Sequence, residues 1–220
     1  MLGVICAVIA IVVITAHHFL IERPRHRAEP PPGPIPLSAA MGRLPKGIFL
    51  QSTYTWSTIR ASGELLVGVH PILLSLVGAP HKLELLAHNG RVEKGEPFIR
   101  IGEADRCLTL HSPVTGRVLA QRHVAKDEMR WDSMTEEDGG WLCRIRPENM
   151  AEEIPTWMIA DRALEWTKRK YGEIRDHLLK AVAERELTLT MADGGEIPVG
   201  ILAEFDGSEW QAFQDAFLHT

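Results

Sequence analysis

The sequence predicts an α+β protein, mainly β, with short strands followed by C-terminal helices and preceded by one N-terminal transmembrane helix. Three observations carry this: an uncharged apolar run opens the chain, glycine-punctuated apolar segments fill its middle, and the hydrophobic period lengthens after residue 150. Of the 220 residues, 45% are hydrophobic and 24% charged, with a formal net charge of -5. That composition excludes wholesale disorder and a basic nucleic-acid binder, and the length allows one sizeable domain with appendages.

Residues 1–21, MLGVICAVIAIVVITAHHFLI, carry no formally charged side chain. About 20 such residues span a bilayer. A cleaved signal peptide needs basic residues ahead of the apolar run and small residues around a cleavage site, and neither is visible. Arg23, Arg25 and Arg27 follow at once, so the positive-inside rule predicts an uncleaved single-pass anchor in the inner, or cytoplasmic, membrane, with the soluble domain cytoplasmic. Cys6, Cys107 and Cys143 show no CxxC spacing, which agrees with free thiols in a reducing compartment. Residues 22–47 hold Pro24, Pro30, Pro31, Pro32, Pro34 and Pro36 and read as a semi-rigid, extended linker. A docking site for an SH3-like partner is the rarer reading of such a stretch.

Across residues 48–150, Gly63, Gly68, Gly78, Gly90, Gly95, Gly102 and Gly116 break segments such as LLVGV, KLELLA, PFIRIG and GRVLAQ, a pattern of short strands rather than βαβ units. Pro71–Val77 is apolar without alternation and is expected to form one or two buried helical turns. Residues 151–185 read as a helical extension: Trp157, Leu164, Tyr171, Ile174, Leu178 and Val182 recur at three, four and seven, in one helix or in two broken near Gly172. Residues 186–220 read as a small ββα unit. Its hairpin pairs LTLTM with IPVGIL around Asp193-Gly194-Gly195. Its helix opens on the capping-box pattern Ser208-Glu-Trp-Gln211 and sets Trp210, Phe213 and Phe217 on one face, a possible interaction surface.

Five landmarks stand in order through the β region: Tyr54-Thr-Trp56, Val67-Gly68-Val69, the turn from Val92 to Phe98 (VEKGEPF), the segment Ser112 to Gly116 (SPVTG), and Gly140-Trp141-Leu142 ahead of a helix. Together, over about Tyr54 to Ala163, they resemble the H protein of the glycine cleavage system, within the biotinyl/lipoyl hammerhead family. The resemblance implies a lipoyl-type hammerhead β-sandwich whose exposed hairpin presents a lysine bearing lipoate. Here the corresponding hairpin reads Gly102-Glu103-Ala104-Asp105-Arg106, and Asp105 stands at the lysine position. A carboxylate has no amine to acylate, and the guanidinium of Arg106 stays protonated, so the site is degenerate and no cofactor is expected there. Lys94 and Lys82 are the nearest lysines in sequence.

Other chemistry is weakly signalled. His70, His81, His88, His111 and His123 accompany Cys107 and Cys143 without metal-ligand spacing, and haem ligation by His17 and His18 would need a second ligand. No GxSxG, P-loop, GxGxxG or HExxH occurs, and Cys107 and His111 on one strand would lie about 13 Å apart, too far for a nucleophile and its base. Neither a catalytic nor a metal site is therefore expected. The resulting reading is a non-catalytic, membrane-anchored interaction module, held to the membrane through residues 1–21 and serving as an accessory or scaffolding subunit of a membrane protein complex. Two alternatives stay open: a working aminomethyl carrier modified at another lysine, and a hammerhead adaptor of a transport system, although no heptad hairpin interrupts residues 48–150.

Overall fold

In the computed structural model the described residues are 44–78, 82–87, 90–122, 134, 139–184 and 196–219. Their strands are β1 (Ile48–Leu50), β2 (Thr55–Ile59), β3 (Leu65–Val69), β4 (Leu83–Leu85), β5 (Arg91–Val92), β6 (Pro97–Glu103), β7 (Arg106–His111), β8 (Gly116–Gln121), β9 (Cys143–Pro147) and β10 (Met158–Ile159). Helices are α1 (Pro71–Val77), α2 (Met150–Glu153), α3 (Ala160–Glu184) and α4 (Gly207–Phe217). One sheet runs β10-β1-β2-β3-β9-β8-β5 and the other β4-β6-β7, every pairing antiparallel. The chain is thus a mixed fold of antiparallel sheets with helices, as the hydrophobic pattern predicts. Inward side chains of both sheets, among them Val67, Ile99, Ile101, Leu108 and Ile145, share one core.

The landmark residues explain themselves as packing. Trp56 lies opposite Gly68 across the β2–β3 ladder, and a Cβ on Gly68 would sit 2.5 Å from the indole Cε2. Only a glycine leaves room for that fully buried ring. The Val92–Phe98 turn and the Ser112–Gly116 segment hold each other, since Gly95 N–H donates to Ser112 O (2.9 Å) and Ser112 N–H donates to Glu96 O (2.8 Å). Within the second segment the buried Ser112 hydroxyl donates to Val114 O at 2.7 Å, closing the turn from inside.

Helix α1 begins on Pro71, with His70 as N-cap. The Nδ1 of His70 accepts from Ile72 N–H at 3.1 Å, so the ring proton sits on Nε2 and donates to Thr167 Oγ1 of α3 at 3.3 Å. All seven residues of α1 are buried, in agreement with the expected helical turns. Trp166 of α3 packs between the Tyr54 and His70 rings, with centroids 5.1 and 5.7 Å away. Burial pushes the His70 pKa down to about 3 and raises that of the Tyr54 hydroxyl, to which the nearby Glu173 adds.

Some expectations are settled and others corrected. Of the two readings of the helical extension the single helix holds, running unbroken through Gly172, whose Cβ position meets only open space, but it starts at Ala160 rather than near residue 151. It is preceded by a two-residue strand, β10, which pairs with β1. IPVGIL does not form a strand: Gly200 turns in the left-handed region (φ 79°) and donates its N–H to Ser75 O at 2.7 Å, and Ile201–Glu204 follows as a 3₁₀ turn. Attachment to α1 takes the place of strand pairing there. Helix α4 is capped by Asp206 rather than Ser208, the Asp206 carboxylate accepting from Ser208 N–H at 2.9 Å and from Ser208 Oγ at 2.6 Å.

The anchor (1–21), most of the linker (22–47), LTLTM and Asp193-Gly194-Gly195 lie outside the described residues. No helix among the described residues is long and apolar enough to cross a membrane.

Candidate functional site

The β6–β7 hairpin is the segment that the sequence singles out. Its ladder closes on Glu103↔Arg106, leaving Ala104 and Asp105 as a two-residue loop. Gly102, just before the turn, has φ 113°, and a Cβ there would lie 2.1 Å from Arg106 O, so the tight return demands glycine. Ala104 takes a positive φ of 51°, the region such turns require, at a strain of about 1 kcal/mol for a residue with a Cβ. Glu103, Ala104, Asp105 and Arg106 are all exposed, and Asp105 occupies the tip.

That tip is not isolated. A methyl group on Gly207, the first residue of α4, would stand 2.6 Å from an Asp105 carboxylate oxygen, so the carboxylate sits directly against the start of the helix. Negative charge is favoured there by the helix dipole, by about 0.3–1 kcal/mol at an exposed position. A lysine ammonium in its place would meet the positive end. Beside it the Arg106 guanidinium donates to Ala203 O at 3.3 Å.

Farther along β7, strand alternation aims the N–H and C=O of Thr109 away from β6. Both are taken by one side chain of α4: Thr109 N–H donates to Gln214 Oε1 at 2.8 Å, and Gln214 Nε2 donates to Thr109 O at 3.0 Å. The carboxamide thus stands in for the peptide group of a neighbouring strand. Nothing in the sequence singles out Gln214 or Gly207, because each matters only through the placement of α4 on β7.

The aromatic face of α4 is turned inward, which corrects its reading as an exposed interaction surface. Trp210 and Phe213 are buried and Phe217 half-buried; Trp210 Nε1 donates to Leu202 O at 2.8 Å, and Phe213 and Phe217 pack around His177 of α3 at 6.4 and 5.2 Å. Burying those rings is worth more than exposing them, so the trio fastens α4 to its own chain.

Cys107 and His111 stand at opposite ends of β7. Cys143 is buried on β9, and burial raises its thiol pKa, which leaves it inert as a nucleophile. Among the described residues no group of three or more His, Cys, Asp or Glu is placed to hold a metal ion. A cleft of about 570 Å³ lies away from the tip, lined by Leu86, Arg91, Glu93, Glu96, Pro97 and Arg100. Its Arg91 is engaged by Glu148 at 3.0 Å.

No family model matches the chain. Among curated proteins it is similar to the probable glycine cleavage system H protein of Pyrococcus abyssi, 24% identical over 127 residues that cover 57% of this chain and 93% of that protein. It is also similar to the glycine cleavage system H protein of Hydrogenovibrio crunogenus, 22% identical over 112 residues covering 51% of this chain and 87% of the relative. A solved glycine cleavage H protein from Mycobacterium marinum shares 19% identity over 47% of this chain and 86% of its own, with a TM-score of 0.37, too loose a likeness to carry an argument. By sequence, then, the chain resembles glycine cleavage H proteins over nearly their whole length.

Proposed function

We propose that this chain is a non-catalytic H-protein-like module of the lipoyl hammerhead type that carries no lipoate on its β6–β7 hairpin. In this reading residues 1–21 anchor it in the cytoplasmic membrane with the soluble part inside, and it serves as an accessory or scaffolding subunit of a membrane protein complex. The observation that carries the proposal is Asp105: the residue at the tip of the hairpin offers a carboxylate, seated against the start of α4, where a carrier needs an amine. What remains useful in such a fold is its surface.

Incubation with labelled lipoate, ATP and a lipoate-attachment enzyme is expected to leave the protein unlabelled while an authentic H protein labels, and its intact mass should show no lipoyl increment. Purification of the tagged protein in mild detergent from native membranes is expected to bring integral membrane subunits in stoichiometric amount. Arrival instead with glycine-cleavage or lipoate-attachment enzymes would overturn the proposal. A topology reporter fused at Thr220 should read cytoplasmic, and an external reading would favour the transport-adaptor alternative.

One observation keeps the carrier reading specific. Lys82 O accepts from Gly102 N–H at 2.9 Å, which sets Lys82 beside the end of the hairpin, with its side chain 61% exposed and 3.3 Å from Glu84. Lys94 lies in the turn before β6. A lipoyl increment that disappears in Lys82→Arg would establish a displaced attachment site.

A further inference from the structure

The last part of the chain lies on the hairpin rather than beside it. Three contacts converge: Asp105 against Gly207, Arg106 on Ala203 O, and the two-way bond between Gln214 and Thr109. The first two hold the tip, and the third closes the outer edge of β7, which would otherwise present unpaired backbone groups to any incoming strand. Trp210 and Phe213 fix the whole unit by burial. We propose that residues 196–218 form a cis-acting cover, an autoinhibitory contact that denies the β6–β7 hairpin to a protein that must close around it. The proposal rests on the H-protein-like reading of the hairpin and adds a second barrier to carrier function, steric rather than chemical, in which Asp105 itself takes part. A small reagent still reaches the exposed tip, whereas an enzyme that wraps both sides of the hairpin collides with α4.

The test uses the full-length protein. First, hydrogen exchange of the Thr109 amide is compared between the native protein and Gln214→Ala, with amides of the central strand β3 reporting that the fold is intact. Exchange is expected to be at least tenfold slower in the native protein, and equal rates would overturn the cover. Gln214→Glu provides a second variant of nearly equal size that loses the donor to Thr109 O. Second, Asp105→Lys is installed with and without the combined changes Gln214→Ala, Trp210→Ala and Phe213→Ala, the β3 amides again reporting that the fold is intact, and both are given a lipoate-attachment enzyme, lipoate and ATP. In that reaction the lysine amine displaces AMP from lipoyl adenylate to form the amide. The variant with α4 released is expected to be acylated at least tenfold faster, and equal rates would again overturn the cover. Lipoylation of the native chain at another lysine would remove the non-carrier reading while leaving the Thr109 comparison to decide the cover.

Discussion

Gly68→Ala is expected to destabilise the protein by about 3 kcal/mol or more and to lower its thermal midpoint by roughly 6–12 °C. The added methyl would stand 2.5 Å from Trp56 Cε2 and 2.6 Å from Cζ2 and Nε1, closer than van der Waals contact permits. Neither partner has room to retreat. Trp56 is fully buried, and Gly68 is held in register opposite it on β3, near the middle of the larger sheet. Calorimetry of Gly68→Ala beside Gly63→Ala isolates the steric part, because a Cβ on Gly63 meets nothing within 4 Å and suffers only from its φ of 77°, at about 1 kcal/mol. Adding Trp56→Phe to Gly68→Ala should recover part of the loss, since the two positions couple through direct contact. Equal destabilisation at Gly63 and Gly68 would contradict the packing argument.

Acid is expected to unfold the protein partly through His70. Its folded pKa of about 3 lies below the ordinary 6.5, so between these values the unfolded chain binds the extra proton and the folded chain does not. Stability therefore rises with pH across that window, and as pH falls from about 6.5 to about 3 this residue removes stability on the order of 4–5 kcal/mol, beyond which the loss levels off. The cause is geometric. Protonation of Nδ1 would break its acceptance from Ile72 N–H and place a charge in a site lined by Trp166 and Thr167. Between pH 7 and pH 5 the share is about 2 kcal/mol. His70→Asn keeps a capping acceptor and abolishes the titration, so its denaturation midpoint should fall less over that interval than that of the native protein. Parallel pH dependences would show that His70 is not the group responsible.

The residues legible in the sequence are those where backbone geometry restricts identity. Gly68 yields to an indole, Gly102 to a tight return, and Gly116 to a strand so close that a Cβ would fall 2.4 Å from Arg146 O. Gly68 and Gly116 stand within the landmarks that carry the resemblance, and those landmarks place Asp105 at the lysine position. Local pattern carries α1 equally well and the helical period of α3, though not its start at Ala160. It fails where distant parts of the chain decide the outcome: IPVGIL has a strand-like alternation, but Gly200 is drawn to Ser75, and an aromatic stripe that reads as a partner surface folds onto its own α3. The Gln214–Thr109 pair spans 105 positions and leaves no periodic or compositional trace.

The pairing of β10 with β1 decides how the protein bears load. Strand β1 is gripped on both flanks, by β2 through Ile48↔Thr58 to Leu50↔Trp56 and by β10 through Phe49↔Ile159 and Leu50↔Met158. Tension arriving through the residues before Leu44 therefore cannot peel away a free margin. Drawn along the strand, it must shear two ladders at once, and the two-residue β10 passes part of the force straight into the 25-residue α3 that follows it.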